Sequence, residues 1–308
     1  MKKYIYILSA FAVLWTLAGC SKDATTEMPD GDTWLRLSFA NPVTYSYEAT
    51  GEEKRLTSVA FFVQIGDKFY SYFSHRNDFD ESNTDTEGNY QAVGVRIATA
   101  TGTAKVAVVG NYVENGLTDD LLNAASQVNA SIDDIFTIKT KSIEVQPIAS
   151  PFLMYHEPID VKITGGKSEE KTFNLKRVAA RVDFALSLRR NGVEIDLSAY
   201  HTQPAVNIYN AKTRSYILPA KSQTDVATLP QQGIYTPALT YTDKGVGFTC
   251  YTYESSTNDI APFLMKVYYE DGRSQELILM LKNGEGNPAI KRNHYYNPDI
   301  KIDLVSVP

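Results

Sequence analysis

The sequence predicts an all-β protein: two β-sandwich domains in tandem, with minor helices. Three observations carry that expectation. Short runs alternate apolar and polar residues, as in Leu35, Leu37 and Phe39 against Arg36 and Ser38, which is the period of a strand with one buried face. Turn chemistry such as Gly66-Asp67, Asp271-Gly272 and Asn283-Gly284 separates the runs. Composition agrees, since 20 Tyr and 13 Phe with many Val, Ile and Thr suit a pleated surface better than a helix.

The chain begins basic (Lys2, Lys3), runs apolar from Tyr4 to Leu17 and reaches small residues before a cysteine, the layout of a secretory signal. The run is too short to span a membrane well. Leu17-Ala18-Gly19-Cys20 also fits the bacterial lipoprotein signal, so residues 1–19 are expected to be removed and Cys20 to be acylated as the new N-terminus. The plainer alternative is an ordinary signal peptide that happens to end beside Cys20. Two or three acyl chains suffice for stable anchoring. Residues 20–33 are polar, carry Pro29 and Gly31, and read as a flexible tether.

The first strand is Trp34, Leu35, Arg36, Leu37, Ser38 and Phe39. Residues 41–55 follow, with Pro42, Gly51 and four charges at the end (Glu52, Glu53, Lys54, Arg55), and read as an exposed loop. A hairpin comes next, 59–65 returning through Gly66-Asp67 into 69–73. Residues 78–88 form an acidic loop; Asp78, Asp80, Asp85 and Glu87 could offer oxygens to calcium, but the EF-hand spacing is absent and a solvated turn is the expected reading. Strands at 93–97 and 105–110 follow, the second apolar enough to be buried on both faces.

Thr118 is expected to cap a short helix with Asp119 and Asp120 in its first turn and Leu121, Leu122, Ala125 and Val128 on one face. Ser131 caps another over 132–136. Both read as decorations on a β domain, outside its core. Strands at 151–155 and 159–163 lead to Gly165-Gly166. Between 171 and 188 the apolar positions change phase: Phe173 and Leu175 are odd, whereas Val178, Ala180, Val182, Phe184, Leu186 and Leu188 are even. A one-residue change flips the buried face, so Lys176-Arg177 marks a bulge or a crossing between domains. The expected domains are therefore 34–175 and 176–308. Short strands at 205–208, 216–218, 247–253, 263–269 and 277–281 make up the second, and the last alternates Tyr296, Ile300, Ile302 and Leu304 against Asp299, Lys301 and Asp303. Strands at this spacing with few helices make a pair of sandwiches. No internal sequence repeat links the halves.

The residues invite no enzyme. His75, His156, His201 and His294 are scattered, without the i, i+4 spacing of a zinc helix. There is no nucleophile elbow, P-loop or dinucleotide fingerprint, and Gly284-Glu285-Gly286-Asn287-Pro288 reads as a plain loop. Cys250 lies in an aromatic strand without a neighbouring cation, so it is expected to be buried and inert. A carboxylate pair for glycoside hydrolysis would be set by folding rather than spacing. No catalytic residue, metal site or cofactor is expected, and a net charge of −6 argues against a nucleic-acid partner.

Five stretches, taken in order, resemble the fimbrillins of Bacteroidales, the type V pilins. They are Leu17-Ala18-Gly19-Cys20; Val106-Ala107-Val108-Val109-Gly110-Asn111; Phe152-Leu153-Met154; Leu175-Lys176-Arg177-Val178-Ala179-Ala180-Arg181-Val182; and Ile290-Lys291-Arg292-Asn293-His294-Tyr295-Tyr296. The fourth and fifth are the specific ones.

The resemblance implies a lipoprotein precursor of two transthyretin-like Greek-key β-sandwich domains, carried to the outer membrane and the cell-surface fimbrium (pilus). A trypsin-like, arginine-specific protease removes the first strand, and a donor strand from a neighbouring fimbrial subunit fills the groove left behind. Such strand addition draws affinity from main-chain hydrogen bonds and specificity from alternate side chains. Carried onto this sequence, Trp34, Leu35, Arg36, Leu37, Ser38 and Phe39 match the removable strand and Arg55 the cleavage position, with Lys54 and Arg36 as alternatives. Stalk-forming members continue past the Arg-Asn-x-x-Tyr strand with donor strands, whereas this sequence stops at Pro308. That departure suggests a tip or accessory subunit, a position that would also suit an adhesin with a host or bacterial surface receptor. The alternatives are a fimbrial anchor that keeps its lipid, and a surface glycan-binding lipoprotein whose tyrosines stack on sugar rings.

Overall fold

The computed structural model describes residues 33–40, 51–74, 90–97, 101–144, 146–165, 167–194, 205–208, 212–219, 240–242, 245–254, 262–268, 274–280, 290–297 and 299–304. Over these residues the chain is all β with three short helices. β1 (Thr33–Ala40) is followed by α1 (Gly51–Lys54), β2 (Val59–Ile65), β3 (Lys68–Phe73), β4 (Tyr90–Ile97) and β5 (Gly102–Gly110). Then come α2 (Thr118–Ala125), α3 (Ile132–Phe136), β6 (Met154–Ile163), β7 (Ser168–Asn174) and β8 (Lys176–Arg177). The remainder is β9 (Ala179–Arg190), β10 (Val193–Glu194), β11 (Ala205–Ile208), β12 (Thr240–Thr242), β13 (Gly245–Tyr253), β14 (Pro262–Tyr268), β15 (Ser274–Met280), β16 (Tyr295–Tyr296) and β17 (Asp299–Leu304).

The strands form four sheets. Two draw only on strands up to β8, ordered β3-β2-β5-β6-β8 and β4-β1-β7. The other two draw only on later strands: β10-β9-β13-β12, with β16 and β17 also against β9, and β11-β14-β15. The phase change at Lys176-Arg177 has a direct cause. Lys176 and Arg177 pair with Tyr155 and Met154, whereas Ala179 and Ala180 pair with Tyr253 and Thr252. The chain thus leaves one sheet for another across Val178, and the buried face flips with it.

The five-stranded sheet is covered on both faces. On one, Phe61 and Val63 of β2 and Val106 and Val108 of β5 pack with Phe173 and Leu175. On the other, Phe62, Ala107 and Val109 pack with Leu117, Leu121, Ile132 and Ile135, and with Ile217 and Leu218 from the later half. β5 is therefore buried on both sides, as its unbroken apolar run predicts. The hairpin also forms as expected, with Gly66 at φ +58° in the two-residue turn, a conformation open to glycine without steric cost.

Several expectations need correction, among them the strands read at 151–155 and 159–163, which are the single strand β6. The helices are part of the core, because Leu117, Leu121 and Ile135 are fully buried over the sheet. α2 is capped at Leu117 rather than Thr118, and Leu122 and Val128 are 43% and 99% exposed, so the expected four-residue apolar face reduces to Leu121 as its fully buried member. Ser131 does cap α3, its N–H donating to Asp134 Oδ2 at 2.7 Å. Residues 216–218 form no strand; Tyr216 makes one isolated bridge to Lys139, and Ile217 and Leu218 serve as packing. The acidic loop 78–88 and the turns at 271–272 and 283–284 lie outside the described residues.

Candidate functional site: a strand slot and its exit

β1 is the middle strand of its sheet. It runs antiparallel to β4, from Thr33 opposite Ile97 to Phe39 opposite Tyr90, with a register shift between Leu37 and Phe39. On its other edge it runs parallel to β7, from Trp34 opposite Ser168 to Ala40 opposite Asn174. The six residues expected as a strand, Trp34 to Phe39, lie inside these bounds. In this sheet β4 meets β7 only through β1. Withdrawing β1 would leave two facing edges about 9–10 Å apart, twice the spacing of paired strands. Edges of that kind are templates for another chain.

The segment that leaves β1 is held at its far end. The sequence reads 41–55 as an exposed loop, but residues 51–54 form the helical turn α1 and Glu53 is 1% exposed. Arg55 has a half-exposed side chain, 3.8 Å from Glu52. Its carbonyl accepts a 2.9 Å hydrogen bond from Asn111 Nδ2, which also donates to the Phe152 carbonyl at 2.7 Å. Asn111 Oδ1 accepts from the N–H of Thr57 at 2.8 Å. Leu56 is buried, and lies so close that a Cβ on Gly110 would meet its Cδ1 at 2.9 Å. A protease cleft takes several residues in extended form, so a protease would reach the Arg55-Leu56 bond only if this segment lifted by local opening. Arg36, one alternative, sits in mid-strand opposite Gly94 and Glu170. Lys54, the other, is the last residue of α1.

Asn293 repeats the device of Asn111. Both adopt left-handed backbone, at φ 58° and 60°, which asparagine tolerates better than most residues. Asn293 Oδ1 accepts from the N–H of Arg177 at 3.1 Å, and its own N–H donates to the Ala179 carbonyl at 3.0 Å. One asparagine fastens the residues after Arg55; the other fastens the crossing at Val178.

Between them lies a buried charge cluster. Arg177 Nη1 meets Glu53 Oε1 at 2.5 Å, and Tyr251 OH donates to the same oxygen at 3.1 Å. Arg181 Nη1 donates to Glu53 Oε2 at 3.1 Å, and its Nε and Nη2 bind Asp183 at 2.9 and 2.7 Å. Burial and then the Glu53 charge push the Tyr251 phenol above its ordinary value. Burial pulls Arg181 down, but the Asp183 hydrogen bond and the Glu53 charge more than offset it and hold the guanidinium protonated. A single carboxylate from α1 thus ties β8, β9 and β13 together. In the sequence Glu53 does not stand out, being one of four adjoining charges. The available signal was Arg177 and Arg181, two cations within an otherwise apolar run, which together require an anion.

The arrangement can therefore hold a strand by its backbone and anchor the following segment by charge. No protein-family model matches the sequence, and no curated protein matches it. Solved structures do. A fimbrilin from Porphyromonas gingivalis superposes with a TM-score of 0.55 at 16% identity, over 87% of this chain and 90% of that one. The chain has the fold of the fimbrillins. A fimbrial assembly protein from Parabacteroides distasonis agrees, with a TM-score of 0.53 at 16% identity over 87% of this chain and 91% of its own.

Set on the fimbrillin fold, the expected site residues fall as follows. Cys20 lies outside the described residues, β1 is placed in mid-sheet, and Arg55 stands at the mouth of the segment fastened by Asn111. Cys250 is 1% exposed, and burial pushes its thiol well above the ordinary range. A thiol so placed is a packing group.

Proposed function

We propose that the chain is a structural subunit of a cell-surface fimbria, made as a lipoprotein acylated at Cys20 and built of two sandwich domains that meet between residues 175 and 176. β1 is a temporary strand. A trypsin-like protease cuts after Arg55, β1 leaves, and a strand donated by a neighbouring subunit takes its place between β4 and β7. The observation that carries this reading is the position of β1, bonded along both edges and bridging two strands that, among the described residues, are not paired with each other. A strand added at an edge leaves a smaller sheet intact when removed; a strand taken from the middle leaves a vacancy with two donor-acceptor edges.

Within the fibre we favour a tip or accessory place, in which β17 stays bonded in parallel to β9 from Asp299 to Leu304. Its backbone is used at home. Treating the lipid-free precursor with an arginine-specific protease should release one N-terminal peptide and leave a stable product starting at Leu56. Digestion without that discrete product would overturn the acceptor role. Mixing the cut protein with itself separates tip from stalk, since a tip subunit stays monomeric where a stalk subunit forms fibres. Recovery of the lipidated Cys20 peptide from purified fimbriae would instead favour an anchor.

A further inference from the structure

We infer that Arg177, Arg181 and Tyr251 form a carboxylate-binding site, filled by Glu53 in the uncut chain and, after the cut, by an acidic side chain of the segment that replaces β1. The inference rests on the strand replacement proposed above and adds the chemistry that selects the incoming segment. Glu53 lies on the leader side of the Arg55-Leu56 bond, so it departs with β1, whereas both arginines stay.

Arg177 makes the vacancy unfavourable. It is fully buried, and a guanidinium is a cation with five N–H donors and no acceptor. Among the described residues its Nε and Nη2 are buried without a hydrogen-bond partner, and Glu53 is the carboxylate in an ion pair with it. Arg181 retains Asp183, so the emptied site carries the Arg177 charge uncompensated. The surroundings are apolar. The Phe152 ring lies 5.8 Å from the Arg177 guanidinium carbon, and Phe152 and Tyr251 are 4.3 Å apart between centroids. A buried cation that has lost its partner is strongly unfavourable, while a new carboxylate restores the charge-assisted bonds.

The slot leads to this site. β1 ends with Ala40 beside Asn174, and Arg177 follows three residues later on the same chain. That distance is about 10 Å of extended backbone. A strand lying in the slot in the direction of β1 would deliver the residues just beyond its end to Arg177. The favoured occupant is therefore a strand segment with Asp or Glu beyond the part that fills the slot, as Glu53 lies thirteen residues beyond Ala40 at the end of β1. Solvent anions and chloride are the competitors, and the test sets them against a carboxylate.

Glu53→Ala in the full-length chain empties the site without any cut, and acetate serves as the probe. Acetate should raise the thermal midpoint of Glu53→Ala above its value in chloride at matched ionic strength. It should have no such effect on the wild type or on Glu53→Ala/Arg177→Met. Equal midpoints in the two salts would overturn the site. In a second arm, full-length protein cut after Arg55 is offered synthetic peptides of residues 33–55, native or carrying Glu53→Gln. The Gln peptide should bind about tenfold weaker or more, and the difference should vanish in Arg177→Met protein. Equal binding overturns the inference, and this arm decides if Glu53→Ala does not fold. An acetate response in a chain that resists cutting keeps the anion site but overturns both strand replacement and the incoming acidic segment. Cutting with equal peptides removes the anion site and leaves the proposed function standing.

Discussion

Asn111 Nδ2 donates to the backbone carbonyl of Arg55 at 2.9 Å, from a side chain that is wholly buried at the end of β5. That one amide joins the proposed cutting position to the central strand of the five-stranded sheet. It also holds the backbone of a residue whose side chain is exposed.

Two substitutions separate the parts of this device. Asn111→Gly keeps the left-handed backbone but loses the side-chain bonds to Arg55, Thr57 and Phe152; Asn111→Ala adds strain at φ 60°. Urea denaturation should find Asn111→Ala about 2–4 kcal/mol less stable than wild type, and Asn111→Gly less affected. Both should be cut faster after Arg55 by trypsin. An unchanged rate would mean that the segment opens independently of Asn111.

Gly110→Ala tests the seat of Leu56. The new Cβ would lie 2.9 Å from Leu56 Cδ1, 3.2 Å from Leu175 Cδ1 and 3.3 Å from Met154 Cβ, and all three residues are buried. Overpacking of this kind costs about 1–3 kcal/mol. Leu56→Ala removes the tightest contact, so the double variant should lose less than the sum of the two single losses, as read by thermal or urea unfolding.

His156 supplies a pH dependence. Burial lowers its pKa below the ordinary value of 6.5, and its ring stands edge-on to Phe173 with centroids 5.1 Å apart. Below pH 6.5 the unfolded chain therefore binds more protons at this residue than the folded one does. Stability contributed by the neutral ring is present above the unfolded value and is lost as the pH falls from 6.5 toward the folded value. Urea midpoints should drop between pH 7.5 and 5.5 by more in wild type than in His156→Gln, the carboxylates titrating alike in both.

Arg292 tests the second buried ion pair. Its guanidinium bonds Glu254, the Ile217 and Tyr216 carbonyls at 3.1 Å and Ser215 Oγ at 3.1 Å, and lies 4.8 Å from the centre of the Tyr155 ring. Arg292→Met strands the Glu254 carboxylate and should cost about 3–5 kcal/mol in chemical denaturation. Adding Glu254→Gln should recover part of that loss. Equal losses in the single and double variants would mean that the carbonyl bonds, not the ion pair, dominate.

Much of this fold can be read locally. The hairpin around Gly66 follows from a period of two interrupted by a turn residue, and the burial of Val106, Ala107, Val108 and Val109 on both faces follows from an unbroken apolar run. The phase change at Lys176-Arg177 is legible for the same reason. Elsewhere the local chemistry is ambiguous. Thr118 looks like a cap but Leu117 holds that position, since the helix start is fixed by how Leu117 and Leu121 pack. Glu53 reads as a solvated charge because burial of a carboxylate depends on its cation, which lies 124 residues away.

The sequence by itself determined that this chain is a β protein, where most of its strands run and where their buried face flips. Those properties depend on the side-chain period, which neighbours along the chain impose on one another. Tertiary structure alone decided that β1 lies between β4 and β7 and that Glu53 serves Arg177 and Arg181. Strand order and ion-pair choice are selections among distant partners of equal local merit. They are made by whichever closure buries the most apolar surface while leaving the fewest polar groups unpaired.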